Sequence, residues 1–191
     1  FITCTHCGPR FTVTTGLPYD RSRTTLAPFA LCADCEAEYT QAADRRFHAE
    51  TTCCPHCGPQ LRLLRADGSA MAGDPIAETL ALLRQGGIVA IKGLGGFHLA
   101  CDATNPQAVQ QLRMRKHREA KPFAVMACNR ASLATWVEVS EPEAALLDSP
   151  ERPIVLLAQH RIDALPGVAP GLVQLGAMLP VTPLHHLLFH E

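Results

Sequence analysis

Three Cys-x-x-Cys pairs stand near the start of this chain: Cys4-Thr-His-Cys7, Cys32-Ala-Asp-Cys35 and Cys54-Pro-His-Cys57. The spacing lets two thiolates from one tight turn reach a single tetrahedral Zn²⁺. Glycine follows two of the pairs directly, at Gly8 and Gly58, where freedom to take positive φ eases a turn around a metal. The competing chemistry is a disulfide framework. Small secreted scaffolds are evenly cysteine-dense, whereas seven of the nine cysteines here fall within the first 57 residues. Zinc is the expectation.

An internal repeat says which pairs share an ion. Cys-x-His-Cys-Gly-Pro occurs at 4–9 and again at 54–59, an offset of 50, so Cys4/Cys7 and Cys54/Cys57 are equivalent halves. If Cys32/Cys35 open a module that Cys54/Cys57 close, the spacer is the eighteen residues 36–53, within the range of four-cysteine sites. Cys4/Cys7 are then half of an earlier site whose other pair would lie upstream, which makes the chain a fragment. The alternative joins Cys4/Cys7 to Cys32/Cys35 and breaks the repeat. Cys53 reads as a bystander, and His6, His48 and His56 as non-ligands. Four thiolates saturate the tetrahedron and leave no open position for water, so the zinc is expected to be structural.

A second set of residues suits anions. Gly93-Leu-Gly-Gly96, headed by Lys92, could bring backbone N–H groups close to a phosphate, although it matches no nucleotide-binding fingerprint and reads equally as a tight turn. Only three lysines occur: Lys92, Lys116 and Lys121. Two of them fall in a cluster formed by Arg113, Arg115, Lys116, His117, Arg118 and Lys121. A helix end would explain such a cluster without a ligand, since cations there complement the helix dipole. Residues 116 and 118 do not share a helix face, however, and Pro122 pushes Lys121 out of helix, so the charges fan around a loop as a triphosphate would require.

These groups need two kinds of scaffold. Residues 1–60 form a metal-stapled segment, 61–74 a linker that begins as a short strand, and 75–191 a conventional core. Asp74-Pro75 and Asn105-Pro106 are helix starts, the second helix running to about Arg115, and Gly86-Gly87 stops the first. Strands are expected at Ile88–Ile91 (buried), Phe97–Cys101, Pro122–Met126 and Ile154–Leu157, and short helices at 131–136, 142–148 and 183–190. The fold class is α/β, with α+β as the alternative: a small four-cysteine zinc module followed by a helix-flanked twisted sheet.

Composition narrows the function. With 47% hydrophobic and 18% charged residues the chain is globular, and a net charge of −1 supplies no global field for nucleic acid or a membrane surface. No apolar stretch approaches the ~20 residues of a membrane-spanning helix, and a cytoplasmic location is expected. Residues 1–60 hold five arginines, no lysine and six acidic residues, which argues against nucleic acid at the zinc segment.

Long motifs carry a family resemblance across the whole chain. Cys-Thr-His-Cys-Gly-Pro-Arg-Phe-Thr at 4–12, Pro-Tyr-Asp-Arg at 18–21, Asp-Arg-Arg-Phe-His-Ala at 44–49 and Cys-Pro-His-Cys-Gly-Pro at 54–59 resemble the zinc fingers of the HypF carbamoyltransferases, maturation factors of NiFe hydrogenases. Lys-Gly-Leu-Gly-Gly-Phe-His-Leu-Ala-Cys-Asp-Ala at 92–103 and Arg-Lys-His-Arg-Glu-Ala-Lys-Pro-Phe-Ala-Val-Met at 115–126 resemble their YrdC-like domain.

The resemblance implies that carbamate, released from carbamoyl phosphate, is joined to AMP from ATP with Mg²⁺. The carbamoyl group then passes to the C-terminal cysteine of a HypE-type acceptor protein, on the way to the cyanide ligands of the hydrogenase iron. It implies catalytic roles for Lys116, Arg118 and Lys121, which would hold the triphosphate. Lys92, Gly93, Gly95, Gly96, Phe97 and His98 would line the same pocket. No carboxylate is singled out for Mg²⁺, Asp102 being the one considered.

The family's later Ser-x-Asn segment is missing, since none of the serines at 22, 69, 132, 140 and 149 sits in one. The YrdC-like domain is therefore expected to be truncated at its C-terminal end, and the fragment alone to be inactive. Two other readings compete, a zinc-stapled nucleic-acid-binding module and an interdomain interaction module.

Overall fold

A short polar residue followed by proline starts both ten-residue helices. Asp74 accepts hydrogen bonds from the backbone N–H groups of Ile76 and Ala77 at 3.0 and 2.9 Å, and Asn105 accepts those of Gln107 and Ala108, both at 3.1 Å. Proline at the first helical position has the required φ and lacks an N–H that would otherwise be orphaned. The computed structural model describes residues 10–93 and 96–190, in two compact units, Phe1–Arg62 and Leu63–Glu191.

In the first unit, α1 (Arg10–Val13) and a single 3-10 turn (Arg21–Arg23) precede α2 (Ala33–Thr40), and long irregular segments make up the rest. A lone bridge joins Thr14 to Thr24. Regular structure is sparse here because few apolar side chains are available to bury; the order comes from polar ties and the sulfur cluster described below.

The second unit opens with a closed turn, in which Leu64 bridges Ala70 and the Arg65 and Ser69 backbones pair. The segment read from sequence as a linker thus carries local pairing of its own. Next come α3 (Pro75–Arg84), β1 (Val89–Lys92), β2 (Phe97–Ala100), α4 (Pro106–Arg115), β3 (Ala124–Met126), α5 (Arg130–Leu133), α6 (Glu141–Asp148), β4 (Val155–Ala158), β5 (Gln174–Met178) and α7 (Pro183–His190). Helix α3 packs against α7 and β1.

Strands β1 and β2 form an antiparallel hairpin of their own. Val89 is the one buried residue in β1, and β2 has none. The expected buried strand at 88–91 is therefore mostly uncovered, because its pairing is confined to one neighbour. A separate three-stranded sheet runs β3-β5-β4, with β3 parallel and β4 antiparallel to β5.

Alternation along these strands divides the sheet into two faces. Val125, Val155, Leu157, Leu175 and Ala177 point inward and join Val109 of α4, Leu133 of α5 and Leu147 of α6 in one core. On the opposite face Ala124, Gly176 and Leu156 lie abreast. The central strand, β5, was not expected. Its Gln-Leu-Gly-Ala-Met sequence has weak strand propensity, and pairing on both sides makes it a strand.

Candidate functional site

The first unit concentrates sulfur. Cys32 occupies the position just before α2, and Cys35 lies in its first turn, 2% exposed. Cys54 and Cys57 form the facing knuckle, closed by the Gly58 N–H donating to the Cys54 carbonyl at 2.8 Å. The four Sγ atoms lie within 4.8 Å of one another, with Cys32–Cys54 and Cys54–Cys57 both at 3.7 Å. A tetrahedron with metal–sulfur bonds of about 2.3 Å has sulfur–sulfur edges of about 3.8 Å, so the donor set fits Zn²⁺. Backbone N–H groups of Cys54 and Cys32 pull the Cys57 thiol down to about 6, whereas burial pushes Cys35 up. A bound zinc would hold all four as thiolates and staple α2 to the knuckle.

Cys53 stays outside the cluster, as do His48 and His56. Cys4, Cys7, His6 and Gly95 lie outside the described residues.

Polar ties back the sulfur cluster. Glu50, 6% exposed, accepts from the Arg21 backbone N–H at 2.6 Å and from the Tyr39 hydroxyl at 2.8 Å. The Arg21 guanidinium donates to the carbonyls of Phe29, Glu50 and Thr52 at 2.7, 3.0 and 2.7 Å. Burial, reinforced by the Glu50 carboxylate, pushes the Tyr39 hydroxyl up to about 12 and keeps it a donor.

In the second unit the basic cluster is built by a helix ending. The Arg118 N–H bonds the Arg113 carbonyl at 3.1 Å and the His117 N–H bonds the Met114 carbonyl at 3.2 Å, with His117 at φ +49°. This is a Schellman termination, with histidine where glycine usually sits. It turns the chain after Lys116, so the cations leave the helix on a loop.

The two half-buried arginines of this segment have different surroundings. Arg113 donates to five backbone carbonyls: Arg118 at 2.8 Å, Glu119 at 3.3 Å, Lys121 at 3.2 Å, Val168 at 3.1 Å, and Gly167. Counted among the fanned cations from sequence, it is instead spent inside the loop. Arg118 lies over the Phe123 ring at 5.2 Å, and its buried Nε has no hydrogen-bond partner among the described residues. Among the described residues no ion pair engages Lys92, Lys116, Arg118 or Lys121.

Arg118 borders a trough of about 480 Å³ on the outer face of the three-stranded sheet. Its walls include Phe123, Ile154, Leu156 and Val173, the last three more than half exposed. Gly176 makes the low point between Ala124 and Leu156; a Cβ there would lie 3.2 Å from Ile154 Cγ2. An apolar floor with an unneutralised guanidinium at its rim can take a flat ring and an attached anion. Sequence reasoning found Arg118 but missed the floor, since its residues come from separated strands.

The glycine turn stands apart from this trough. The Gly93 N–H is spent on the Gly96 carbonyl at 2.7 Å, and the His98 ring closes over Gly93. Lys92 Nζ lies 5.0 Å above the exposed Phe97 ring, and His98 stacks on His185 at 5.8 Å. None of Lys92, Gly93, Gly96, Phe97 or His98 lines the trough. Asp102 Oδ1 accepts from the Thr104 N–H and hydroxyl at 2.8 and 2.7 Å, a local turn.

Comparison with known proteins defines the class. Residues 81–191 match the Sua5/YciO/YrdC family, described as telomere recombination, and residues 31–64 match the HypF finger. More than half of the chain lies in the first match, and the chain belongs to that family, in the form found within the HypF carbamoyltransferases. It is 60% identical to carbamoyltransferase HypF2 of Cupriavidus necator over 100% of the chain and 24% of that protein. It is 57% identical to carbamoyltransferase HypF of Rhodobacter capsulatus over 98% of the chain and 25% of that protein. A crystal structure of full-length HypF in a phosphate- and nucleotide-bound form superposes with a TM-score of 0.89 at 43% identity, covering 100% of this chain and 25% of that one. The chain thus spans about a quarter of the length of the relatives it matches.

Proposed function

We propose that this chain is the zinc-stapled, nucleotide-binding part of a longer ATP-dependent carbamoyltransferase. The observation that carries the reading is Arg118: a guanidinium that no carboxylate pairs with among the described residues, its Nε desolvated, at the rim of an apolar trough. Burying a charged donor without a partner is costly unless an anion completes it. The relatives' name, carbamoyltransferase, and the nucleotide-bound state of the similar crystal structure supply the chemical class.

On this reading ATP enters with Mg²⁺, its adenine or ribose on the apolar floor and its phosphates toward Arg118, Lys116 and Lys121. A carbamate oxygen attacks the α-phosphorus. The bond to the bridging oxygen breaks, and pyrophosphate leaves with the electron pair. No protein nucleophile is needed; the cations offset charge developing on the phosphates. Lys92, Gly93, Gly96, Phe97 and His98 lie outside the trough and are assigned no contact with the nucleotide on this reading. The carbamoyl-adenylate then serves a HypE-type acceptor, whose C-terminal cysteine thiolate attacks the carbamoyl carbon and releases AMP. We assign the work to the cytoplasm by likeness to the relatives. No helix among the described residues is long and apolar enough to cross a membrane.

Carbamate-dependent exchange of labelled pyrophosphate into ATP by the full-length protein tests the proposal. Exchange lost in Lys116→Ala and Arg118→Ala variants that remain folded supports it; full exchange in both leaves the 113–121 cluster as a solvated helix end. The chain alone is expected to bind nucleotide weakly and to turn over nothing.

A further inference from the structure

We infer that Arg113 is a positioning residue for nucleotide binding, acting through Arg118 by holding the two rims of the trough in register. The inference rests on the nucleotide reading of that trough. One rim comes from Arg118, Pro122, Phe123 and Ala124, and the other includes the segment that follows the turn at Leu165–Val168. Between these segments Arg113 is the common tie. One guanidinium donates to Arg118, Glu119 and Lys121 on the first side and to Gly167 and Val168 on the second. The Phe123 N–H donates to the Val168 carbonyl at 2.9 Å and continues the same seam.

Carbonyl oxygens, not carboxylates, are the acceptors, so the role of Arg113 is directional and not one of charge neutralisation. A planar fork meets this set with the two Nη1 hydrogens shared among three carbonyls, Nε–H on Gly167 and Nη2–H on Val168; the single nitrogen of an ammonium on a flexible stem cannot face both sides at once. Arg113 also lies over the Phe123 ring at 4.7 Å, the ring that Arg118 covers at 5.2 Å. The two arginines thus share a wall. The loop that carries Arg118 is built by a helix termination with a left-handed histidine, and the Arg113 ties hold that loop after the helix has ended.

The test is a double-mutant cycle in the zinc-loaded full-length protein, with ATP affinity read by calorimetric titration and folding by thermal melts. R113K keeps the charge and loses the fork. It is expected to weaken ATP binding about tenfold in the parent but less than twofold in the R118A background, because a residue that acts through another has little left to position once that one is gone. Leu112→Ala hollows the core side of the same helix and is the control: it lowers the melting temperature with equal, small effects on ATP affinity in both backgrounds. If R113K weakens ATP equally with and without Arg118, Arg113 acts through general folding and the inference is overturned. R113Q, which keeps part of the donor set, replaces R113K if the lysine variant does not fold; if neither folds, Arg113 is a folding residue and the inference also fails. Unchanged ATP binding in R118A itself would instead sink the nucleotide reading, a result distinguishable from additivity in the cycle.

Discussion

Arg21 grips Glu50 at both ends: its backbone N–H donates to the carboxylate at 2.6 Å, and its guanidinium donates to the Glu50 carbonyl at 3.0 Å. Tyr39 supplies the other strong donor to that carboxylate. Glu50→Ala removes the acceptor and leaves donors without partners, at a cost of about 1–3 kcal/mol, whereas Tyr39→Phe loses one hydrogen bond and costs about 1 kcal/mol. Chemical denaturation of the zinc-loaded protein, followed by a probe in the first unit, should rank the two variants in that order.

Metal removal should unfold the same unit. Four sulfurs at tetrahedral spacing contribute folding energy only when an ion screens and joins them. A chelator is expected to release one zinc from the Cys32/Cys35/Cys54/Cys57 cluster, expose its thiols to a thiol reagent and abolish the cooperative melt of this unit. Cys54→Ser should lose that zinc without chelator. Because the ligands must be thiolates, retention of zinc should fail as pH falls. Zinc retained in Cys54→Ser would contradict the assignment.

His117 holds a left-handed conformation at φ +49°, which costs an L-residue about 1 kcal/mol and costs glycine nothing. His117→Gly should leave the melting temperature of the second unit unchanged or raised. His117→Val, stiff at χ1 and branched at Cβ, should lower it by more than the glycine variant raises it.

Leu156 offers a way to disturb the trough without disturbing the core, since it is 59% exposed on the outer face of the sheet. Leu156→Glu is expected to change stability by no more than about 0.5 kcal/mol, the usual range for a surface substitution. The carboxylate placed near Arg118 should nonetheless weaken ATP binding by about tenfold through competition for the guanidinium. Wild-type affinity in this variant would place the nucleotide elsewhere.

His185 sets a pH dependence of opposite origin from the zinc site. Burial, followed by the neighbouring His98 and His186, holds its imidazole below the usual 6.5, and its Nδ1 accepts the Val181 N–H at 3.4 Å. The unfolded chain takes up this proton at about 6.5, before the folded chain does. Stability is therefore full above that value, declines as pH falls below it, and levels once the folded imidazole also protonates. Urea unfolding of the wild type and of His185→Leu between pH 7.5 and 5 should show a smaller decline in the variant.

Local chemistry reached a long way from sequence alone. The caps at Asp74 and Asn105, each followed by proline, define α3 and α4 because a helix start is settled by contacts two or three residues away. The sulfur cluster unites Cys32/Cys35 with Cys54/Cys57, the pairing that follows once the fifty-residue offset makes Cys4/Cys7 the equivalent of Cys54/Cys57, because a repeat preserves relations that a lone motif does not.

Tertiary structure alone decided three things. It made Gln174–Met178 the central strand, since two neighbours supplied the hydrogen bonds that weak propensity could not promise. It left the face bearing Ala124, Gly176 and Leu156 outside the core, so that residues from three strands became one floor. It also separated two arginines of identical chemistry five positions apart, surrounding Arg113 with five carbonyls and leaving the Arg118 Nε without a partner. Residue type specifies what a guanidinium can bind; the backbone that folds around it decides whether those donors remain for a ligand.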